Sequence, residues 1–115
     1  MGRIRFADLP EYSRIEHSIK AWAAGCQIIT RVLVYGSRAR GDHSDSSDLD
    51  IAIELTPELD FGTALGTWCE EKESWTKELG ARLPWKLHLE LHDLNGETPT
   101  VSRGLAEGSH VIYAV

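Results

Sequence analysis

The sequence predicts an α/β (α+β) fold, a small mixed β-sheet with helices packed on one face. Three observations carry that expectation. Stretches whose apolar residues recur every third and fourth position take turns with stretches where they recur every second position. Turn-forming residues punctuate the chain at Gly25, Gly36, Gly41, Pro57, Gly80, Asn95-Gly96 and Gly108. The resulting order is helix, strand, loop, strand, helix, strand, helix, strand, which a single mixed sheet with a helical layer accommodates.

The elements follow in turn. Asp8 with Glu11 three residues later has the form of a capping box, with Pro10 suited to a first turn. Tyr12, Ile15, Ile19, Trp22 and Cys26 then trace the apolar stripe of a first helix ending near Gly25. Val32 to Tyr35 is a short apolar run closed by Gly36, the pattern of a buried strand. Residues 37–47 are polar. A second strand spans Asp48 to Glu54, with Leu49, Ile51 and Ile53 on one face, and Thr56-Pro57 opens the next turn or helix start. Phe61, Leu65, Trp68, Lys72, Trp75 and Leu79 form a long stripe over about residues 60–80, in which only Lys72 is out of character. Leu87, Leu89 and Leu91 alternate with His88, Glu90 and His92 as a third strand. Thr98-Pro99 has the form of an N-cap followed by a first-turn proline, and Gly108 ends that short helix. A last strand covers His110 to Val115.

Composition bounds the rest. At 115 residues the chain is read as a single domain, 1–115, able to bury a core without disulfides. Its longest apolar runs fall far short of the ~20 residues a membrane helix requires. The first ten residues lack the apolar centre of a signal peptide. Cys26 and Cys69 fit no CxxC spacing, so reduced thiols in a cytoplasmic setting are expected. Twelve Lys+Arg against 18 Asp+Glu give a net charge of −6, which disfavours a surface gripping bulk nucleic acid. The Trp residues lie on apolar stripes and read as core rather than as a base-stacking platform.

The informative stretch is YGSRARGDHSDSSDLD, residues 35–50. A buried strand ends at Gly36-Ser37, where a residue without Cβ lets a phosphate approach the backbone. Ser37 is placed to cap the following turn, whose free N–H groups suit an anionic oxygen. Arg38 and Arg40 add guanidinium forks at the same rim, matched to phosphate geometry. After ten intervening residues come Asp48 and Asp50, set by strand alternation on one face about 6–7 Å apart at Cα. Two adjacent carboxylates repel unless a cation sits between them. Hard oxygen donors of this kind suit Mg²⁺ shared with a substrate's phosphates.

Gly36-Ser37, the ten-residue gap and Asp48-x-Asp50 resemble the signature of the minimal nucleotidyltransferases of the DNA-polymerase-β superfamily. Tyr35, Arg38, Ala39, Arg40, Gly41, Asp42, Ser47, Leu49 and Ile51 look like that family as well, and the element order fits along the whole chain. The resemblance implies the nucleotidyltransferase fold and two Mg²⁺ ions on Asp48, Asp50 and a third carboxylate from a neighbouring strand. The resemblance further implies that this third group activates the attacking hydroxyl. Here the sequence departs from the family, which shows an apolar-Asp-apolar pattern on the third strand. Aligned from the preceding stretch, His88 takes the third position; aligned from the following stretch, Glu90 does. Glu90 is the reading adopted, because an oxygen ligand suits Mg²⁺ and a carboxylate can act as base. His88, Glu90 and His92 also alternate in the manner of a zinc set on one strand face.

The resemblance implies transfer of NMP, AMP from ATP, onto a hydroxyl. Gly36, Ser37, Arg38 and Arg40 would hold the nucleotide. The small size of the chain points to the antitoxin type, partnered by a small helical HEPN protein that carries the acceptor hydroxyl, or to a homodimer. Two alternatives stay open: a catalytically impaired module that neutralises its partner by binding alone, and an antibiotic nucleotidyltransferase.

Overall fold

The computed structural model describes residues 4–115. Its centre is a four-stranded mixed sheet formed by β1 (Ile29–Tyr35), β2 (Leu49–Leu55), β3 (Leu87–Leu91) and β4 (Ser109–Ala114), in the spatial order β3-β2-β1-β4. β1 pairs antiparallel with both β2 and β4, whereas β3 lies parallel to β2. The parallel pair needs a crossover, and α3 (Phe61–Gly80) provides it. α1 (Tyr12–Ala24) precedes β1, the short α2 (Gly36–Arg40) follows it directly, and α4 (Pro99–Glu107) leads into β4.

Strand alternation divides the side chains between two faces. Val32 and Val34, Leu49, Ile51 and Ile53, and Leu87, Leu89 and Leu91 point into the main core with Ile15, Ile19 and Trp22 of α1 and Trp68, Trp75 and Leu79 of α3. This is the helical layer that the stripes predict. Lys72, the odd member of the α3 stripe, lays its ammonium over the Trp68 ring, 5.7 Å from the centroid. The opposite face carries Leu33, Tyr35 and Ala52, apolar groups that also need cover. Val101 of α4, with Leu105 beside it, supplies that cover, so α4 packs on the second face rather than joining the other helices.

Several boundaries differ from the sequence expectation, each for a local reason. Asp8 does not cap α1. It ends a 3-10 turn (Phe6–Asp8) and pairs with Arg5, because the chain bends there to bury Phe6 edge-on against Tyr12 and Trp85. β1 starts earlier than Val32, since pairing with β2 runs back to Ile29 opposite Leu55. α3 is capped by the Asp60 carboxylate, which accepts from the Thr63 backbone N–H at 2.8 Å. That hydrogen bond holds the Asp60 pKa below its ordinary value. Thr98 occupies the N-cap position of α4, but its hydroxyl accepts from the Asp93 N–H instead. No helix among the described residues is long and apolar enough to cross a membrane.

One polar cluster fastens α4 to its face. Glu54 is only 1% exposed, and its carboxylate accepts from Arg31 Nη1, the cross-strand neighbour, at 3.2–3.3 Å. His92 Nδ1 lies 3.0 Å from the same carboxylate, and its Nε2 lies 3.1 Å from the Ser102 hydroxyl on α4. Replacing His92 with Phe leaves a buried carboxylate short of a donor. The expected cost is about 1–3 kcal/mol in urea unfolding, and Glu54→Gln in the same background recovers part of it.

Candidate active site

Tyr35, Asp50 and His88 lie level across three neighbouring strands of the face that α4 partly covers: Tyr35 pairs with Asp50, and Asp50 pairs with His88. One step along, Glu90 pairs with Ala52. Asp48 directly precedes β2, on the same side of the chain as Asp50 by alternation. Tyr35, Asp50, His88 and Glu90 line a cleft of about 380 Å³ walled by Thr100, Val101 and Gly104 of α4; Asp48 is not among its lining residues.

The turn after β1 is built around Gly36. Its φ of +76° is a left-handed value that L side chains seldom adopt. A Cβ there would sit 2.1 Å from Asp50 Oδ2, inside the carboxylate itself. The absent methyl is what lets the backbone that starts α2 lie against Asp50. Gly41 closes the turn with a φ of +87°, its N–H donating to the Ser37 carbonyl at 2.8 Å.

The two arginines have other partners than the phosphate role predicts. Arg38 is 9% exposed; its Nε donates to the Ser47 carbonyl at 3.0 Å, and its Nη2 reaches the Asp45 carbonyl at 3.3 Å. The guanidinium also stacks over Trp85, 5.3 Å from the ring centroid. Arg38 therefore folds the 42–48 loop that delivers Asp48. Arg40 pairs with Asp42 at 3.1 Å and approaches Glu107 of α4 at 3.8 Å. Ion pairs this exposed are worth little and exchange readily.

The carboxylates differ in their engagement. Asp48 has no hydrogen-bond or ion-pair partner among the described residues. His88 bridges the other two: Nδ1 lies 3.0 Å from Asp50 Oδ1, and Nε2 lies 2.9 Å from Glu90 Oε1. The contact with Asp50 has hydrogen-bond geometry, and the approach to Glu90 is within ion-pair distance. His92 engages Glu54 instead, and His88, Glu90 and His92 do not come together as a zinc set among the described residues. Among the described residues no three His, Cys, Asp or Glu side chains are placed to hold one ion together.

Tyr35 and Gly104 are the members of this site that sequence reasoning passed over as site residues. A Cβ on Gly104 would lie 3.0 Å from the Tyr35 ring, so this glycine inside a helix sets how closely α4 approaches. A glycine in a helix interior is the signal that marks such a contact. Burial, followed by the negative charges of Asp50 and Glu90, pushes the Tyr35 hydroxyl up to about 12 from an ordinary value of 10.0. The neutral phenol is favoured in the folded state. This contribution is fully present below pH 10 and is lost as pH rises from about 10 through about 12. Alkaline urea titrations should show that loss reduced in Tyr35→Phe. Some of it persists through Tyr12, which burial and its hydrogen bond to Glu16 also raise to about 12.

Residues 17–114 match the family described as polymerase beta, nucleotidyltransferase. No curated protein sequence matches the chain. Among solved structures, the chain is similar to a toxin–antitoxin complex with AMP-PNP, at 16% identity and a TM-score of 0.63, covering 87% of this chain and 73% of that one. It is also similar to a chain of the tri-AMPylated Shewanella oneidensis HEPN toxin in complex with its MNT antitoxin, at 14% identity and a TM-score of 0.58, covering 90% and 72%. A Sulfolobus solfataricus protein described as a nucleotidyltransferase matches over 99% of this chain and 92% of its own, at 16% identity and a TM-score of 0.54. At these identities the likeness is one of fold. The match to residues 17–114 spans most of the sequence, and the chain belongs to the polymerase beta nucleotidyltransferase family.

Proposed function

We propose that this chain transfers AMP from ATP to a hydroxyl on a small helical HEPN-type protein, acting as the antitoxin of a toxin–antitoxin pair. The observation that carries the reading is the joint between Gly36 and Asp50, where the missing Cβ brings a glycine turn against a carboxylate. A triphosphate beside paired carboxylates is the arrangement nucleotidyl transfer uses. The similarity to toxin–antitoxin complexes supports the choice of partner. The net charge of −6 argues against bulk nucleic acid as acceptor. The two free thiols, Cys26 and Cys69, are in keeping with a cytoplasmic setting.

The residues fit a hard divalent cation at one place. Asp48 and Asp50 offer oxygen donors, and the Asp50 carboxylate lies packed against Gly36, in the space that a Cβ there would fill. Mg²⁺ is commonly held by one or two carboxylates plus substrate phosphates and water. When bound, it neutralises charge on the triphosphate and on the departing pyrophosphate. Gly36 and Ser37 hold the nucleotide's phosphates through the turn. Arg38 acts through the loop it folds, and Arg40, held only by the exposed carboxylates of Asp42 and Glu107, would exchange them for a phosphate.

The acceptor hydroxyl loses its proton to the Glu90 carboxylate, whose Oε2 is not engaged by His88. The hydroxyl oxygen forms a bond to the α-phosphorus, the bond to the bridging oxygen breaks, and pyrophosphate leaves. Asp50 and His88 hold Glu90 in place. The tie between His88 and Glu90 is also the observation that favours a module acting by binding alone.

Pyrophosphate release distinguishes the readings. With ATP, Mg²⁺ and the partner, release should require all three. Release with an aminoglycoside in place of the partner would make this an antibiotic nucleotidyltransferase. Stable complex formation without pyrophosphate would leave only the binding role.

A further inference from the structure

We infer that the site takes a single divalent cation, on Asp48 and Asp50, because the His88 ring occupies the place a second cation would need. The inference rests on the proposed transferase reading and goes beyond it in cation number. A second ion has to be shared between Asp50 and a carboxylate of the neighbouring strand, at a metal–metal separation of about 3.5–4 Å. In this chain the register puts an imidazole level with Asp50, and the nearest carboxylate of β3, Glu90, is one step further along. The ring lies between the two, with Nδ1 on Asp50 Oδ1 at 3.0 Å and Nε2 on Glu90 Oε1 at 2.9 Å.

Both oxygens that would face a shared ion are thus taken by one side chain. Asp48, which has no ion-pair partner among the described residues, and Asp50 Oδ2, which His88 does not engage, remain for the first cation. His88 is 51% exposed at the cleft, so the ring is bounded by the two carboxylates rather than wedged by packing. The same geometry makes His88 a positioning residue for Glu90.

Counting bound Mn²⁺ by electron paramagnetic resonance, with a non-hydrolysable α,β-methylene ATP analogue, tests this directly on the whole chain. The expected result is one Mn²⁺ per chain in the wild type and two in His88→Asp, which restores a carboxylate opposite Asp50. Two ions in the wild type would overturn the inference while leaving the transferase reading intact. One ion in a folded His88→Asp variant would also overturn it, because the ring would then not be what excludes the second. If circular dichroism shows that variant unfolded, the wild-type count decides alone. Neither Mn²⁺ nor analogue bound to the wild type would defeat the transferase reading and this inference with it.

Discussion

Replacing Asp48 or Asp50 with Asn should reduce AMP transfer by at least about 10²–10³-fold, the loss typical when one preorganised electrostatic group is removed from a reacting centre. The fold should survive in both. Asp48 makes no hydrogen bond or ion pair among the described residues, so its charge contributes little to stability. Asp50 hydrogen-bonds His88 on a partly exposed face, and an amide of the same shape can keep that contact. Thermal unfolding within a few degrees of wild type, alongside lost transfer, is the expected pair of results. Transfer at wild-type rates in both variants would remove these carboxylates from the chemistry.

The second large effect is expected at Gly36. Gly36→Ala combines two costs: a left-handed backbone for an L residue, about 1–2 kcal/mol, and a methyl placed 2.1 Å from Asp50 Oδ2. Overpacked contacts add about 1–3 kcal/mol where the neighbour yields. Here the neighbour is the candidate cation ligand, so whatever stability is recovered comes from displacing Asp50, and nucleotide binding is lost with it. Gly96→Ala is the matched control: its φ is +85°, but a Cβ there meets nothing within 4 Å. It should show the backbone cost alone and leave nucleotide binding unchanged. Urea unfolding and nucleotide titration of the two variants separate strain from collision. Equal losses in both would mean that Gly36 serves the turn only.

The sheet was legible in the sequence because its strands are buried on the main-core face, which forces strict alternation. Leu87, Leu89 and Leu91 delimit β3 to the residue. The long stripe of α3 was legible for the same reason. The second face was not, because its cover is small: Val101 and Leu105 of a nine-residue helix give no stripe long enough to aim it. The spacing of Asp48 and Asp50 around the start of β2 could be read locally. The roles of Arg38 and His88 could not, since each depends on register between segments far apart in the chain. An arginine beside a glycine turn looks like a phosphate ligand until its guanidinium is found on the carbonyls of Ser47 and Asp45. Which of His88 and Glu90 stands level with Asp50 depends on the register of β2 with β3, and it is His88.

The most direct test of the proposed activity is to mix the full chain with a HEPN-type partner, Mg²⁺ and ATP labelled on either the α- or the γ-phosphate. AMP transfer predicts stable label on the partner from α-labelled ATP and none from γ-labelled ATP, and no label with Asp48→Asn. Label from γ-labelled ATP, or a stable complex that carries no label at all, would contradict it.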